Sequence, residues 1–420
     1  MATKATWMGT IPENWISCPL KYVFEIQKRI AGKEGYTVLS ITQSGIKPKN
    51  MSAQGQYAQD YSNYQLVYPG DFAMNHMDLL TGWVDISQYE GVTSPDYRVF
   101  VNRDTGRFCS EYYKFIFQYC YSNRVFYGLG QGVSSFGRWR LPADMFLNFR
   151  LPVPSLEEQR SIAEFLNHRV NEIDVVIAEA KASIEEYKAW KASIIYEAVT
   201  KGLDPNATMK DSGIEWIGTV PTGWKLPRIK DIAIFMPKCD FSICTSETPI
   251  TFTPMECIRT GTFENRSKLF GEIEGTYTQY AEGDIVLAKV TPCFENGNVC
   301  IMKQLHSGVG MGSSELFVLR PTKIHDRYLL YVLQHSGFKD AACATMTGTG
   351  GLKRVSSSFI QNCHIPYPAI SVQKRIADYL DDKCSSISDL IAEKETLITD
   401  LEAYKKSLIF EVVTGKRKAV

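Results

Sequence analysis

The chain contains itself twice, and that repeat limits its architecture more than any other feature of its 420 residues. Trp7-Met-Gly-Thr-Ile-Pro12-Glu-Asn-Trp15 returns 209 positions later as Trp216-Ile-Gly-Thr-Val-Pro221-Thr-Gly-Trp224. Both copies follow W-h-G-T-h-P-x-x-W, with h apolar. Leu151-Pro-Val-Pro154 followed by Gln159-Arg-Ser-Ile-Ala-Glu-Phe-Leu166 returns as Ile365-Pro-Tyr-Pro368 followed by Gln373-Lys-Arg-Ile-Ala-Asp-Tyr-Leu380. Residues 193–200 (SIIYEAVT) return as 407–414 (SLIFEVVT), and through this second block the offset stays at 214. A period this long is far outside the range of a solenoid and describes a duplicated unit.

Each copy of the second block reads as a long helix. Apolar residues fall at Ile162, Leu166, Ile173, Ile177, Ala180, Ile184, Tyr187, Ile194 and Ala198, and again at Ile376, Leu380, Ile387, Ile391, Ile398, Leu401, Leu408 and Val412. Steps of three and four, or their sum of seven, make a coiled-coil seam over about five heptads. Ser155 and Glu158 form a capping-box signature after Pro154. Gly202 and Gly415 sit where each helix should stop. Each helix then has about 45 residues and a length of roughly 65–70 Å. In the second copy Val372 stands where Glu158 would be, so that capping box is lost.

Residues 10–150 and 219–364 have a different texture. They are rich in Gly, aromatic and β-branched residues, with short runs such as Tyr36-Thr-Val-Leu-Ser-Ile41 and Leu316-Phe-Val-Leu319. They read as mixed α/β domains with many short strands and long loops. In each, Gly-Asp opens an apolar run, at Gly70-Asp71-Phe72 and at Gly283-Asp284-Ile285. Shared frames with divergent interiors suggest two similar domains that recognise different things. Repeated helices between them need the same partner twice.

Composition narrows the function classes. Hydrophobic residues make up 44% and charged residues 22%, an ordinary globular balance. No stretch approaches the roughly 18 apolar residues of a membrane span, and the first residues lack the apolar core of a signal peptide. A cytoplasmic protein is expected. The eleven cysteines are scattered without a C-x-x-C pair, so reduced thiols and no zinc are expected. Net charge is zero, but residues 152–205 and 365–414 together carry seven more acids than bases, leaving a basic excess elsewhere. Such an excess permits phosphate contacts outside the helices.

Signatures of chemistry are missing. There is no [N/D]-P-P-[Y/F/W] strand end for an adenine methyltransferase and no G-x-x-x-x-G-K-[ST] phosphate loop. Gly128-Leu-Gly130-Gln-Gly132 and Gly308-Val-Gly310-Met-Gly312 lack dinucleotide-binding spacing and read as turns. No cofactor and no catalytic residue is expected.

On the W-h-G-T-h-P-x-x-W motif, the P-x-P…Q-[RK]-x-I-A helix start and the linker Thr200-Lys-Gly-Leu-Asp204…Lys210-Asp-Ser-Gly-Ile-Glu-Trp216, the chain resembles the specificity subunits of type I restriction-modification systems over nearly its whole length. The resemblance implies an α+β architecture. Two target-recognition domains (1–150, and 204–364 with its linker) alternate with two antiparallel coiled-coil helices (151–203 and 365–420) in a pseudo-two-fold internal repeat. It implies a non-catalytic subunit that binds double-stranded DNA at a bipartite site, each domain reading one half. The helices would set the unread gap and dock two methyltransferase subunits, with motor-nuclease subunits joining that core. Three other readings stay open: a protein-binding coiled-coil adaptor, a specificity subunit of another defence system, and an enzyme with degenerate motifs.

Base readout needs donors and acceptors at groove depth. In the first domain the candidates are Asn75 and His76 after the Gly-Asp run, with Ser94. In the second they are Lys289, Thr291, Asn296 and Asn298, with Ser314; that run also resembles a recurrent motif of the family's recognition domains. A second matched pair of clusters precedes each helix. Ser135, Arg138 and Arg140 in the first align with Lys353 and Arg354 in the second, Arg140 falling opposite Arg354. Adjacent cations and glycines suit phosphates. A salt bridge to the acidic helices would also explain the matched arginines.

Overall fold

The structure, a computed structural model, describes residues 7–49, 60–132, 139–349 and 351–419. It divides into two compact units, Met1–Lys181 with Glu395–Val420, and Ala182–Lys394. The division falls inside both long helices, which run Leu156–Lys201 and Ile370–Val413. The periodic pattern places both helices within a residue or two of their expected starts.

In the first unit, four antiparallel strands form the central sheet in the order Phe24–Gln27, Arg98–Asn102, Phe72–Met74, Val84–Ile86. Phe72, Ala73 and Met74 are all buried, as expected for a strand covered on both faces. One face meets helix Ser110–Ser122, which contributes Tyr113 and Phe117 to a cluster with Phe24, Phe72 and Phe100. Their rings meet edge-on at 5.2–5.5 Å, apart from the stacked Phe72–Phe100 pair at 4.9 Å. Edge-on aromatic pairs stabilise by about 0.5–1.5 kcal/mol beyond area burial.

In the second unit the central sheet runs Ala233–Phe235, Leu316–Pro321, Ile285–Ala288, Val299–Ile301, again all antiparallel. Numbered along the chain, each sheet has the order first, fourth, second, third. The same connectivity therefore occurs in both units. What surrounds it differs. The second unit carries another four-stranded sheet built on Pro249–Thr253 and Val309–Gly312, which pair in parallel. Among the described residues the first has two-stranded pieces there, Leu39–Thr42 with Gly45–Pro48 and Gln65–Val67 with Gly91–Thr93.

The long helices pack in each unit with early turns of one against late turns of the other. In the first unit Ile162, Leu166, Ile173 and Ile177 share a core with Leu408 and Val412, and Lys405 Nζ lies 2.5 Å from Asp174. In the second, Ile195, Ala198 and Val199 share a core with Ile376, Leu380 and Cys384, and Lys191 donates to Ser388 at 2.9 Å. The seam uses Ile195 where the periodic pattern points to Ile194, which is only half-buried. A buried tyrosine closes each arrangement. The Tyr112 hydroxyl donates to the Val413 carbonyl (2.8 Å), and that of Tyr328 to the Val199 carbonyl (3.2 Å).

The helix ends explain the tryptophan motif. The Ser155 hydroxyl accepts the Glu158 N–H at 3.2 Å, as the capping signature requires. Gly202 and Gly415 end the helices at φ +77° and +71°. Trp224 and Pro221 pack over Gly202 in the second unit; Trp15 and Pro12 pack over Gly415 in the first. The repeated W-h-G-T-h-P-x-x-W segment is thus the lid over a repeated helix C-terminus.

Candidate nucleic-acid interface

Both clusters grow from the strand that Gly-Asp opens. The aspartate is a hook. Asp71 accepts the Tyr68 N–H and an Arg29 guanidinium N–H, at 2.8 and 2.9 Å. Asp284 accepts the Ala281 N–H at 2.8 Å and both Arg320 donors at 2.7 and 2.8 Å. Each carboxylate fixes the turn into a central strand, so the residues leaving that strand's far end are well placed. The Gly-Asp repeat was the sequence signal; its arginine partners come from unrelated positions and carried none.

In the second unit, five candidates come together. Ile285–Ala288 runs into Lys289 and Thr291, and hairpin Thr347–Thr349 with Leu352–Arg354 folds onto them. Val290 bridges to Arg354, and Thr291 and Lys353 exchange backbone and hydroxyl hydrogen bonds at 3.0 Å. The Thr291 hydroxyl also donates to the Gly351 carbonyl at 2.8 Å. Lys289 Nζ donates to the Ser314 carbonyl at 2.6 Å and lies 3.9 Å from Glu315. Arg354 makes a two-point contact with Glu315, both N–H···O distances being 2.8 Å. That guanidinium holds the Glu315 carboxyl below its ordinary range, and the carboxylate raises Arg354 in turn. Arg354 therefore pairs with Glu315, at the start of a strand, and not with the helix acids. Lys353 is exposed. Asn296 is exposed on the following turn, where its carbonyl accepts the Thr260 hydroxyl at 3.3 Å. Asn298 is buried, its backbone bonded to Ala288 and Cys293, and so stands apart from the exposed set.

In the first unit the arrangement is basic, and among the described residues no carboxylate pairs with Arg98 or Arg140. His76 and Arg98 both bond Leu141, the His76 carbonyl accepting its N–H and Arg98 donating to its carbonyl, each at 2.9 Å. Arg98 is buried, and its guanidinium lies 4.7 Å from the Phe146 ring centroid. Burial pushes its pKa down to about 10. Burial first, then the nearby charges of Arg98 and Arg140, push His76 down to about 3, so it is neutral at pH 7. Arg140 is exposed and pairs through its backbone with Gln131 at 2.8 and 3.1 Å. Asn75 faces the same turn, its side-chain oxygen accepting the Met77 N–H at 3.3 Å. Ser94 instead builds its own turn, accepting the Asp96 N–H at 3.2 Å. Ser135 and Arg138 lie outside the described residues.

Residues 221–400 match the family model described as the type I restriction modification DNA specificity domain. A type I restriction enzyme EcoEI specificity subunit from Escherichia coli is 40% identical over 162 residues, covering 37% of this chain and 27% of the relative. The EcoAI specificity subunit from the same species is 35% identical over 202 residues, covering 47% and 34%. Over those segments the chain is similar to the type I specificity subunits. The matched segments span about a third or less of those curated relatives. A solved chain reported in work on assembly and conformational transition of the type I R-M system superposes with a TM-score of 0.71 at 15% identity, covering 97% of this chain and 100% of that one. That likeness extends the fold across both units.

The residue of the first unit's cluster that the sequence did not mark is Arg98. It lies in a strand whose pattern, Tyr-Arg-Val-Phe-Val, offers no reason to expect a buried cation, and only the fold brings it beside His76. Among the described residues, no group of three His, Cys, Asp or Glu is placed to hold a metal ion. No described helix is long and apolar enough to cross a membrane.

Proposed function

We propose that this chain is the sequence-specific DNA-recognition subunit of a type I restriction-modification complex and performs no chemistry itself. Residues 1–150 and 204–364 are its target-recognition domains, each reading one half of a bipartite duplex site. The helical segments 151–203 and 365–420 set the unread gap and dock two methyltransferase subunits, to which motor-nuclease subunits add.

One observation carries this reading. The same first-fourth-second-third sheet occurs twice, each time with a basic cluster leaving the strand that Gly-Asp opens, while the surrounding pieces differ. A common frame suits phosphate contacts, which are alike everywhere on a duplex, and divergent surroundings suit base contacts, which are not. The helix surfaces support a partner bound twice. Val176 and Leu390 are exposed at a 214 offset, as are Trp190 and Tyr404. Exposed apolar residues at repeated positions fit a docking surface better than a solvated face.

The test is methylome sequencing of cells that express the complete system. Inserting two helical turns' worth of residues in both helices should lengthen the unread gap and leave each half-site unchanged. Replacing residues 20–145 by a homologous domain should change one half-site only. An unchanged gap, or both half-sites changing together, refutes the assignment.

A further inference from the structure

The contact between Glu315 and Arg354 is in the wrong place for a stabilising surface ion pair and in the right place for control. Both groups belong to the cluster proposed to meet DNA, and pairs this exposed stabilise a fold by only about 0–1 kcal/mol. The acid is the fixed member. Its N–H donates to the Ser313 hydroxyl at 3.2 Å, its carbonyl accepts the Lys289 N–H at 3.0 Å, and the strand it leads into, Leu316–Pro321, is mostly buried. The cation is the presented member, on a hairpin whose strand residues are all exposed. The fork that Arg354 makes to two carboxylate oxygens is the same two-point geometry it would offer a phosphate or a guanine edge. The carboxylate also lies 3.9 Å from Lys289, so one acid occupies two of the three cations gathered here.

We infer that Glu315 is the specificity-determining residue of the second domain, a charge latch that withholds Arg354 and Lys289 from DNA. Opening the latch leaves a carboxylate at the DNA surface without its donors, which is costly. A half-site that presents an amino group there, the cytosine N4 being the one that matches an acid, gives the carboxylate a new donor and offsets the cost. Other sequences give it none, and meet a carboxylate close to their own phosphates. Discrimination therefore comes as much from the penalty on wrong sequences as from contacts to the right one. The inference rests on the DNA-recognition reading above.

The test compares the full-length wild-type chain with Glu315→Gln, using a random-sequence duplex over a range of salt and selection from a randomised duplex pool. Glu315→Gln should bind the random duplex roughly fivefold tighter at low salt, with a salt slope steeper by about one unit. It should lose preference at one base position of one half-site and keep the other half-site. Adding Arg354→Ala should return the slope to the wild-type value or below. If Glu315→Gln changes a base preference but neither slope nor random-duplex affinity, Glu315 is a simple reader and the latch is refuted. If the wild-type chain shows no salt-dependent affinity for any duplex, the DNA reading itself fails and the latch with it. Glu315→Asp keeps the charge and should stay close to wild type in salt slope, which separates lost charge from local disruption.

Discussion

Gln159 accepts the backbone N–H of Cys109 on its side-chain oxygen at 2.8 Å, across a separation of fifty residues. Its amide nitrogen donates to the Pro154 carbonyl at 2.9 Å, and the side chain is fully buried. Gln373 repeats both bonds, accepting from His325 and donating to Pro368, each at 2.8 Å. Cys109 and His325 are the residues just before helices Ser110–Ser122 and Asp326–Gln334. One glutamine in each unit thus ties the start of a long helix to the start of the helix that covers the sheet.

Gln159→Leu should destabilise the first unit, because it leaves a buried N–H and a buried carbonyl without partners. Each such orphan costs about 1–3 kcal/mol. Gln373→Leu should do the same to the second. Denaturant unfolding read by fluorescence and circular dichroism checks this, and a loss below about 1 kcal/mol in both variants would show the bonds to be dispensable.

The helix-ending glycines should rank in a definite order. Both adopt positive φ, so alanine at either is strained by about 1–2 kcal/mol. A Cβ at Gly202 would lie 3.0 Å from the nearest Trp224 ring atom, whereas at Gly415 it would lie 2.4 Å from Pro12. Gly415→Ala should therefore be the more destabilising of the two by thermal unfolding. Equal losses would mean that backbone conformation, not contact with the motif, sets the cost.

The long helices and the mixed helix-and-strand content were legible in the sequence because each depends on local pattern: heptad spacing, a capping serine, a glycine stop. The grouping of Lys289, Thr291 and Arg354 was half-legible, since repeat alignment marked each segment without showing that the hairpin folds onto the strand. Arg98 and the glutamine ties were not legible. Their partners, Leu141, Cys109 and His325, are far away in sequence and are met through backbone atoms, which leave no side-chain signature.

Acid should weaken the fold in part through histidine. His76 is held at about 3 and His335 at about 4, both mainly by burial, against an ordinary value near 6.5. The unfolded chain then binds protons between those values that the folded chain refuses. Stability from these groups is complete above about pH 6.5 and falls as pH drops towards 4, by at most about 1.4 kcal/mol per pH unit for each histidine. His76→Asn should flatten the difference in unfolding free energy between pH 7 and 5 relative to wild type. An unchanged pH dependence would place the acid sensitivity in this range elsewhere, in His335.

Arg140 and Arg354 are equivalent in sequence but not in surroundings, and this difference predicts different behaviour on DNA. Arg354 is held by Glu315 in a two-point contact. Arg140 has no carboxylate partner among the described residues, and the nearby charge it shares the cluster with, that of Arg98, is positive. A cation without a competing acid contributes its whole charge to counterion release, and one already paired contributes less. Arg140→Ala should therefore weaken binding to all duplexes alike and lower the salt slope by about one unit, with base preference intact. Arg354→Ala should lower the slope by less. Lys289→Ala and Asn75→Ala should instead relax preference at a single position, at a cost of about 1–3 kcal/mol there. Salt titrations with random and selected duplexes separate the two behaviours. A larger slope loss for Arg354→Ala than for Arg140→Ala would show that Glu315 releases its arginine freely, and that matched sequence position, not local charge, decides which residue holds the backbone.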